Sequence, residues 1–235
     1  MSSVAGKFNS VKMKLEAAAM RAGRDPAAVR LVAVTKTVPV EFVIEAVGAG
    51  AGILGENRVR EALSKKRELD RLRAARHEAG LPAWHLIGPL QKNKARLAVG
   101  EFSLIHSLES IELAREIDRQ AKKKDIIQKA LLEINIASEE TKHGIRPEDT
   151  IAFMKAAAGL ANLDITGLMC VPPLQDDPEK SRPYFKEMNR IAAELALEGF
   201  KMTELSMGMS QDFEVAAEEG ATLVRVGTAI FGARN

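Results

Sequence analysis

Short apolar runs rich in Val, Ile and Leu return at intervals along the chain, and each is followed by a charged stretch of helical period. The runs cover residues 31–35, 52–54, 84–87, 104–106, 130–136, 163–169, 203–206 and 222–226. Such alternation is the sequence form of successive βα units, because a parallel strand is buried on both faces and needs a crossover helix to reach its neighbour. Eight units are the number that closes a (β/α) barrel. An open doubly wound sheet uses the same units, but its signature is a glycine-rich turn after the first strand, and "VTKTVP" contains none. The fold class expected is α/β, a single (β/α)8 TIM barrel over residues 1–235.

An extra helix precedes the first strand. In "MSSVAGKFNSVKMKLEAAAM" the residues Val4, Phe8, Val11, Met13 and Leu15 fall broadly on one side, and no unbroken apolar stretch reads as a signal peptide or a membrane span. At 235 residues with 46% hydrophobic side chains, the chain is long enough for one large barrel. The Pro-rich stretch 171–183 falls between the sixth strand and its helix, where it reads as a βα loop and not as a linker. Thirty-four Lys and Arg against 32 Asp and Glu give a formal charge of +2, too even for a general nucleic-acid or membrane-surface binder. A lone cysteine, Cys170, and four scattered histidines offer neither a disulfide framework nor metal-ligand spacing. The setting expected is the reducing cytoplasm.

Loops that follow the strands build the active face of such a barrel. Lys36, in "LVAVTKTVP", then sits at the mouth after the first strand. A lysine there either snorkels its ammonium into water or, partly desolvated, titrates below about 10.4 and exposes an amine for Schiff-base chemistry. After the seventh strand comes "SMGMS", with Ser206, Gly208 and Ser210, the last placed to cap the helix carrying Asp212 and Glu214. After the eighth comes "RVGTAIFG", with Gly227 and Thr228. Loops after strands seven and eight form the recurrent phosphate site of these barrels, although Gly and Ser also serve ordinary turns. A Schiff-base lysine facing a phosphate cup suggests pyridoxal 5'-phosphate. Arg225, in "LVRV", would fit against its ring nitrogen and keep it unprotonated, which makes the ring a poor electron sink; strand alternation leaves open that Arg225 points outward.

The stretches "AVTKTVP", "GENRVRE", "WHLIGPLQKNK", "LEINIASEETKHGI", "GLMCVPP" and "SMGMSQDFEVAAEEGATLVRVGTAIFGAR" resemble the pyridoxal-phosphate homeostasis protein family, also called the YggS or PROSC family, over nearly the whole chain. Where many relatives read "FGEN", this chain has "LGEN" at 54–57, an apolar swap expected to alter packing more than chemistry. The resemblance implies a barrel of the alanine racemase N-terminal-domain type. It also implies that Lys36 holds the cofactor as an internal aldimine, with Arg225 at the ring and Ser206, Gly208, Ser210, Gly227 and Thr228 around the phosphate. Asn57 either bonds the cofactor or caps the next helix. His85 reads as a hydrogen-bonded core histidine with Trp84 on the opposite face, and Cys170 as a small buried hydrophobe. Asn135 either reaches into the barrel or bridges strand backbones.

No catalytic residue and no metal ligand is assigned. Relatives of alanine racemase use a second β-domain and a partner subunit to place another acid/base, whereas this sequence ends at Asn235, so strong racemase activity is not expected. The function implied is intracellular vitamin B6 homeostasis: buffering and delivery of pyridoxal phosphate by a monomer, with transient contact to apo enzymes that use it. An amino-acid racemase and a class I aldolase are the alternatives. Lys142 on the loop after strand five, with Lys92 and Lys94 as rivals, is the candidate to hand the cofactor on.

Overall fold

A computed structural model describes residues 3–75, 80–137, 139 and 143–233. Eight parallel strands close on themselves in sequence order: β1 (Arg30–Val34), β2 (Ile53–Glu56), β3 (Ala83–Leu86), β4 (Leu104–Leu108), β5 (Gln128–Ile134), β6 (Leu163–Cys170), β7 (Glu204–Ser206) and β8 (Leu223–Val226). Closure is made by β8 against β1, with Arg30 opposite Leu223 and Val32 opposite Arg225. The fold is the (β/α)8 barrel that the eight apolar runs predict, with each strand displaced by no more than a few residues.

Helices α2 (Val40–Gly48), α3 (Val59–Ala75), α4 (Ala95–Ala98), α5 (Ile111–Lys123), α6 (Thr150–Ala157), α7 (Arg182–Leu197), α8 (Phe213–Glu218) and α9 (Thr228–Phe231) follow the strands in turn. The preceding helix, α1 (Val4–Arg21), starts at Ser3, whose hydroxyl accepts from the Gly6 amide. It buries Val4, Phe8, Val11, Leu15, Ala18 and Ala19, a stripe of spacing three and four, against α2, α8 and α9. Met13 leaves that stripe and is exposed, because two positions from Val11 is over half a turn around a helix. No helix among the described residues is long and apolar enough to cross a membrane.

Alternation along the strands sorts side chains between two cores. Residues such as Ala33, Leu54, Trp84, Leu86, Ile105, Leu132 and Leu168 face outward and join the helices in the larger core. Val32, Leu104, Leu131, Met169 and Leu223, with Ile53 against them, fill the inside. Two pairs of strands come close at glycines: a Cβ on Gly55 of β2 would meet Val32 of β1 at 2.8 Å, and one on Gly167 of β6 would strike the Glu204 backbone of β7.

Candidate functional site

Polar residues interrupt the apolar filling of the barrel in two groups, one near the strand N-termini and a hydrogen-bonded row above it. Near the strand N-termini Arg30 pairs with Glu204, whose other oxygen accepts from the Thr222 hydroxyl. Higher up, His85 Nδ1 lies 3.0 Å from His106 Nε2, His106 Nδ1 lies 2.9 Å from the Ser206 hydroxyl, and Arg225 Nη1 donates to that hydroxyl at 2.6 Å. Arg225 Nη2 donates to the Cys170 carbonyl at 2.8 Å. Since the arginine occupies one lone pair of Ser206, the hydroxyl keeps its own hydrogen for His106 Nδ1; His106 then donates from Nε2 to His85 Nδ1. This assignment, made from the network, gives each of these three contacts one hydrogen and one acceptor and leaves both rings neutral. Burial, joined by the charge of Arg30, pushes His85 down to about 3, and burial holds His106 well below the usual range, helped by His85, Arg225 and Arg30. His85 is therefore the core histidine that the sequence implies, and Trp84 beside it faces the helices.

Above the row opens a cavity of about 470 Å³, within the usual range for small-molecule sites. Lys36, Asn57, Ser210, Arg225, Gly227 and Thr228 all line it. Residues more than 150 positions apart are thus brought together at the ends of β1, β2, β7 and β8. Arg225 faces inward, its guanidinium buried and its positive form disfavoured chiefly by desolvation. Asn57 is held at the rim by Gly88, where any Cβ would meet the Asn57 backbone within 2.7 Å.

Ser206 and Gly208 stand apart from the cavity lining. The Ser206 side chain belongs to the row beneath, where it holds Arg225. Gly208 adopts φ +89°, its carbonyl accepts from the Arg225 amide at 3.0 Å, and a Cβ there would collide with that of Ala216. Ser210 does not cap its own helix. The Ser210 hydroxyl accepts instead from the Gly227 amide at 3.2 Å and sits 3.5 Å from the Ala229 amide, tying the loop after β7 to that after β8. The Asp212 carboxylate accepts from the Met209 amide at 2.7 Å and so closes the turn before α8, without capping the helix itself.

Asn135 does not aim into the cavity: its amide pairs both ways with the Glu139 backbone, at 2.8 and 3.2 Å, a bridge within the loop after β5. Cys170 is fully buried and desolvation pushes its thiol up to about 12, as suits a packing residue. Lys92 and Lys94, on the turn after β3, lie outside the cavity lining, and Lys142 lies outside the described residues. Glu133 and His106, inside β5 and β4, are among the polar residues that the sequence reading does not single out. Glu133 lines the cavity, its carboxyl pushed up to about 7 by burial and by the nearby charge of Glu109, with His143 and Arg225 opposing. His106 carries the middle of the row. Each is an ionisable residue inside an apolar strand, at the same parity as an inward residue two positions earlier, Leu131 or Leu104, which is a signal the sequence does contain.

The sequence profile of the alanine racemase N-terminal domain matches residues 10–235. A protein of Aquifex aeolicus (strain VF5) named pyridoxal phosphate homeostasis protein is 42% identical over 97% of both chains. The chain belongs to the pyridoxal phosphate homeostasis protein family. A second member with that name, from Pseudomonas aeruginosa, is 39% identical over 100% of this chain and 97% of its own. Among solved structures, PipY of Synechococcus elongatus PCC7942, described as having PLP bound, superposes with a TM-score of 0.82 at 37% identity, covering 98% of this chain and 100% of its own. The similarity to these proteins runs over nearly the full length of the chain.

Proposed function

We propose that this chain is, over residues 1–235, one barrel that binds pyridoxal 5'-phosphate in the mouth cavity, holds it through Lys36 as a Schiff base, and buffers and delivers it. The observation that carries this reading is the convergence of Lys36, the buried Arg225 and the hydroxyls of Ser210 and Thr228 on one cavity of about 470 Å³. The cofactor supplies an aldehyde, which condenses with a neutral amine to form a C=N bond and release one water, and a phosphate dianion. Lys36 provides the amine on the β1 side, while Ser210, Gly227 and Thr228 provide hydrogen-bonding groups on the β7–β8 side. PLP binding in a relative 37% identical over the full barrel supports the assignment.

Arg225 cannot accept a proton, and a permanent cation beside a ring nitrogen disfavours a second charge there. Ser206 and the Cys170 carbonyl fix the guanidinium, so it cannot swing aside without losing two hydrogen bonds. Electron withdrawal by the ring would be weak, which favours carriage over turnover. The chain would act as a cytoplasmic monomer and meet apo enzymes transiently.

Amino-acid racemisation is the second reading, and Glu133 is the observation that favours it: a carboxyl in the cavity wall titrating at about 7 can exchange a proton near neutral pH. The deciding measurement is the absorption spectrum of the protein loaded with pyridoxal phosphate, followed by borohydride reduction, peptide mapping and assays with D- and L-amino acids. A yellow band lost on reduction, label on Lys36 and no interconversion of enantiomers are the results expected. Label on another lysine removes the site assignment, and turnover abolished by Glu133→Gln establishes the racemase.

A further inference from the structure

Behind the cavity wall lies a buried charge cluster that the proposed binding site does not use. Lys65, on the inner face of α3, points its ammonium to the end of β1: Nζ donates to the Thr35 carbonyl at 2.6 Å and to Glu56 Oε1 at 2.5 Å, with Glu61 Oε1 at 3.4 Å. Only 8% of the Lys65 side chain and none of the Glu56 side chain is exposed. Glu56 Oε1 also accepts from the Thr35 hydroxyl at 2.8 Å, and Glu61 Oε1 accepts from the Thr37 amide at 2.6 Å. An ion pair in this setting is a costly way to stabilise a barrel, since two well-packed apolar side chains serve as well or better.

Its geometry has a specific target. The Thr35 carbonyl belongs to the peptide group before Lys36, and the Thr37 amide to the one after it. Lys65 and Glu61 therefore anchor the two peptide planes that flank the Lys36 α-carbon, and together these planes set the direction of its Cα–Cβ bond. The first plane is anchored further by the Val38 amide, which donates to the Thr35 carbonyl at 3.0 Å. Thr37 sits at φ 57°, a left-handed conformation that a β-branched residue adopts only under constraint. The Glu61 carboxylate supplies that constraint.

The geometry points to Lys65, Glu56 and Glu61 as a positioning clamp that sets the Lys36 side chain toward the cavity for bond formation with an aldehyde. The clamp rests on the reading of Lys36 as the cofactor-binding amine. Reacting groups misplaced by about 1 Å lose on the order of a hundredfold in rate or more, so a fixed backbone matters to the lysine and not to the phosphate side.

Two ligands separate the effects: pyridoxal 5'-phosphate, and pyridoxine 5'-phosphate, which carries an alcohol in place of the aldehyde and cannot bond to an amine. In Lys65→Met/Glu56→Gln, which removes both buried charges together, the affinity for pyridoxal phosphate is expected to fall by on the order of tenfold to a hundredfold while that for pyridoxine phosphate changes little. Glu61→Ala, which leaves the buried pair intact and keeps the test open if the double variant does not fold, is expected to show the same selective loss. Glu61→Gln, which keeps an oxygen for the Thr37 amide, is expected to recover part of it. Equal weakening of both ligands, or of neither, overturns the clamp. Borohydride labelling of the wild-type protein at a lysine other than Lys36 overturns the underlying cofactor reading and the clamp with it; label on Lys36 together with equal losses overturns the clamp alone.

Discussion

The two walls of the mouth cavity hold their functional groups by different means. At the β1–β2 wall Lys36 follows a strand end fixed by charged side chains, with Lys65 and Glu61 reaching the backbone on either side of it. At the β7–β8 wall no ion pair of that kind does the work among the described residues. Ser210 accepts from the Gly227 amide, Asp212 closes its own turn, and Gly208 lets the loop pack under α8. Arg225 stands between the walls, bonded to Ser206 below and to the Cys170 carbonyl at its side. The difference follows from what each wall would have to do. A single amine has to be aimed, so its backbone is pinned from outside, whereas an anion with several oxygens accepts many donors and needs only a loop of the right shape.

The sharpest break in this comparison is Lys36→Ala. Absorption of the bound chromophore and borohydride-stable label should vanish, while binding of pyridoxine phosphate, measured by calorimetry, should persist through the opposite wall. The fold should stand, because Lys36 is only partly buried and its removal opens no cavity in the apolar core. Loss of both ligands would mean that the two walls are not separable.

Arg225→Gln is expected to affect both walls, since the guanidinium is buried and its removal leaves hydrogen-bonding groups of Ser206 and Cys170 short of a donor. Unfolding stability should fall by about 1–3 kcal/mol, read from urea denaturation of the ligand-free protein. Retention of both ligands should weaken, and the chromophore band should shift as the ring nitrogen loses its fixed cation. An unchanged band would place the guanidinium away from the ring.

A smaller and one-sided effect is expected for Ser210→Ala. Loss of the hydroxyl that accepts from the Gly227 amide should cost about 1 kcal/mol of stability. Affinity for pyridoxal phosphate should drop, while that for pyridoxal, which lacks the phosphate, should not. Equal losses for the two would show that the β7–β8 wall does not meet the anion.

The last effect is in pH dependence, and Glu133 supplies it. Its carboxyl is raised from 4.5 to about 7 in the folded protein, so between those values the native state keeps a proton that the unfolded chain has released. The contribution of Glu133 is therefore fully present below pH 4.5 and is lost as the pH rises toward about 7; in ligand-free Glu133→Gln this downward slope should disappear. The lowered His85 and His106 act in the other sense. The unfolded chain binds protons that the buried rings refuse, so stability falls from pH 6.5 toward about 3 in both proteins, and subtraction of the two profiles isolates Glu133. A flat difference between 4.5 and 7 would mean that its carboxyl is solvated.

The barrel was legible because its signal is local and repeated. Each buried strand must be apolar over several residues and each helix must carry its own stripe, so eight βα units could be counted without knowing any contact between them. Lys36 and Arg225 were legible for a related reason: a cation at the end of an apolar strand, or inside "LVRV", stands out against its neighbours. Asn135 shows where this logic stops, since a polar residue just past a strand end has equal access to the cavity and to its own loop, and here the Glu139 backbone takes it.

What the sequence by itself determined is the alternation that makes the barrel, the inward parity of polar residues on its strands and the placing of a lysine at its mouth. Only closure of the sheet decided which inward residues meet. It set Ser206 against His106 a hundred positions away, turned the Ser210 hydroxyl toward Gly227 and not toward its own helix, and put Glu133 into the cavity wall. Parity along a strand is a property of the chain, fixed by the pleat of the backbone; neighbourhood across a barrel depends on stagger and tilt, which arise only when all eight strands are paired.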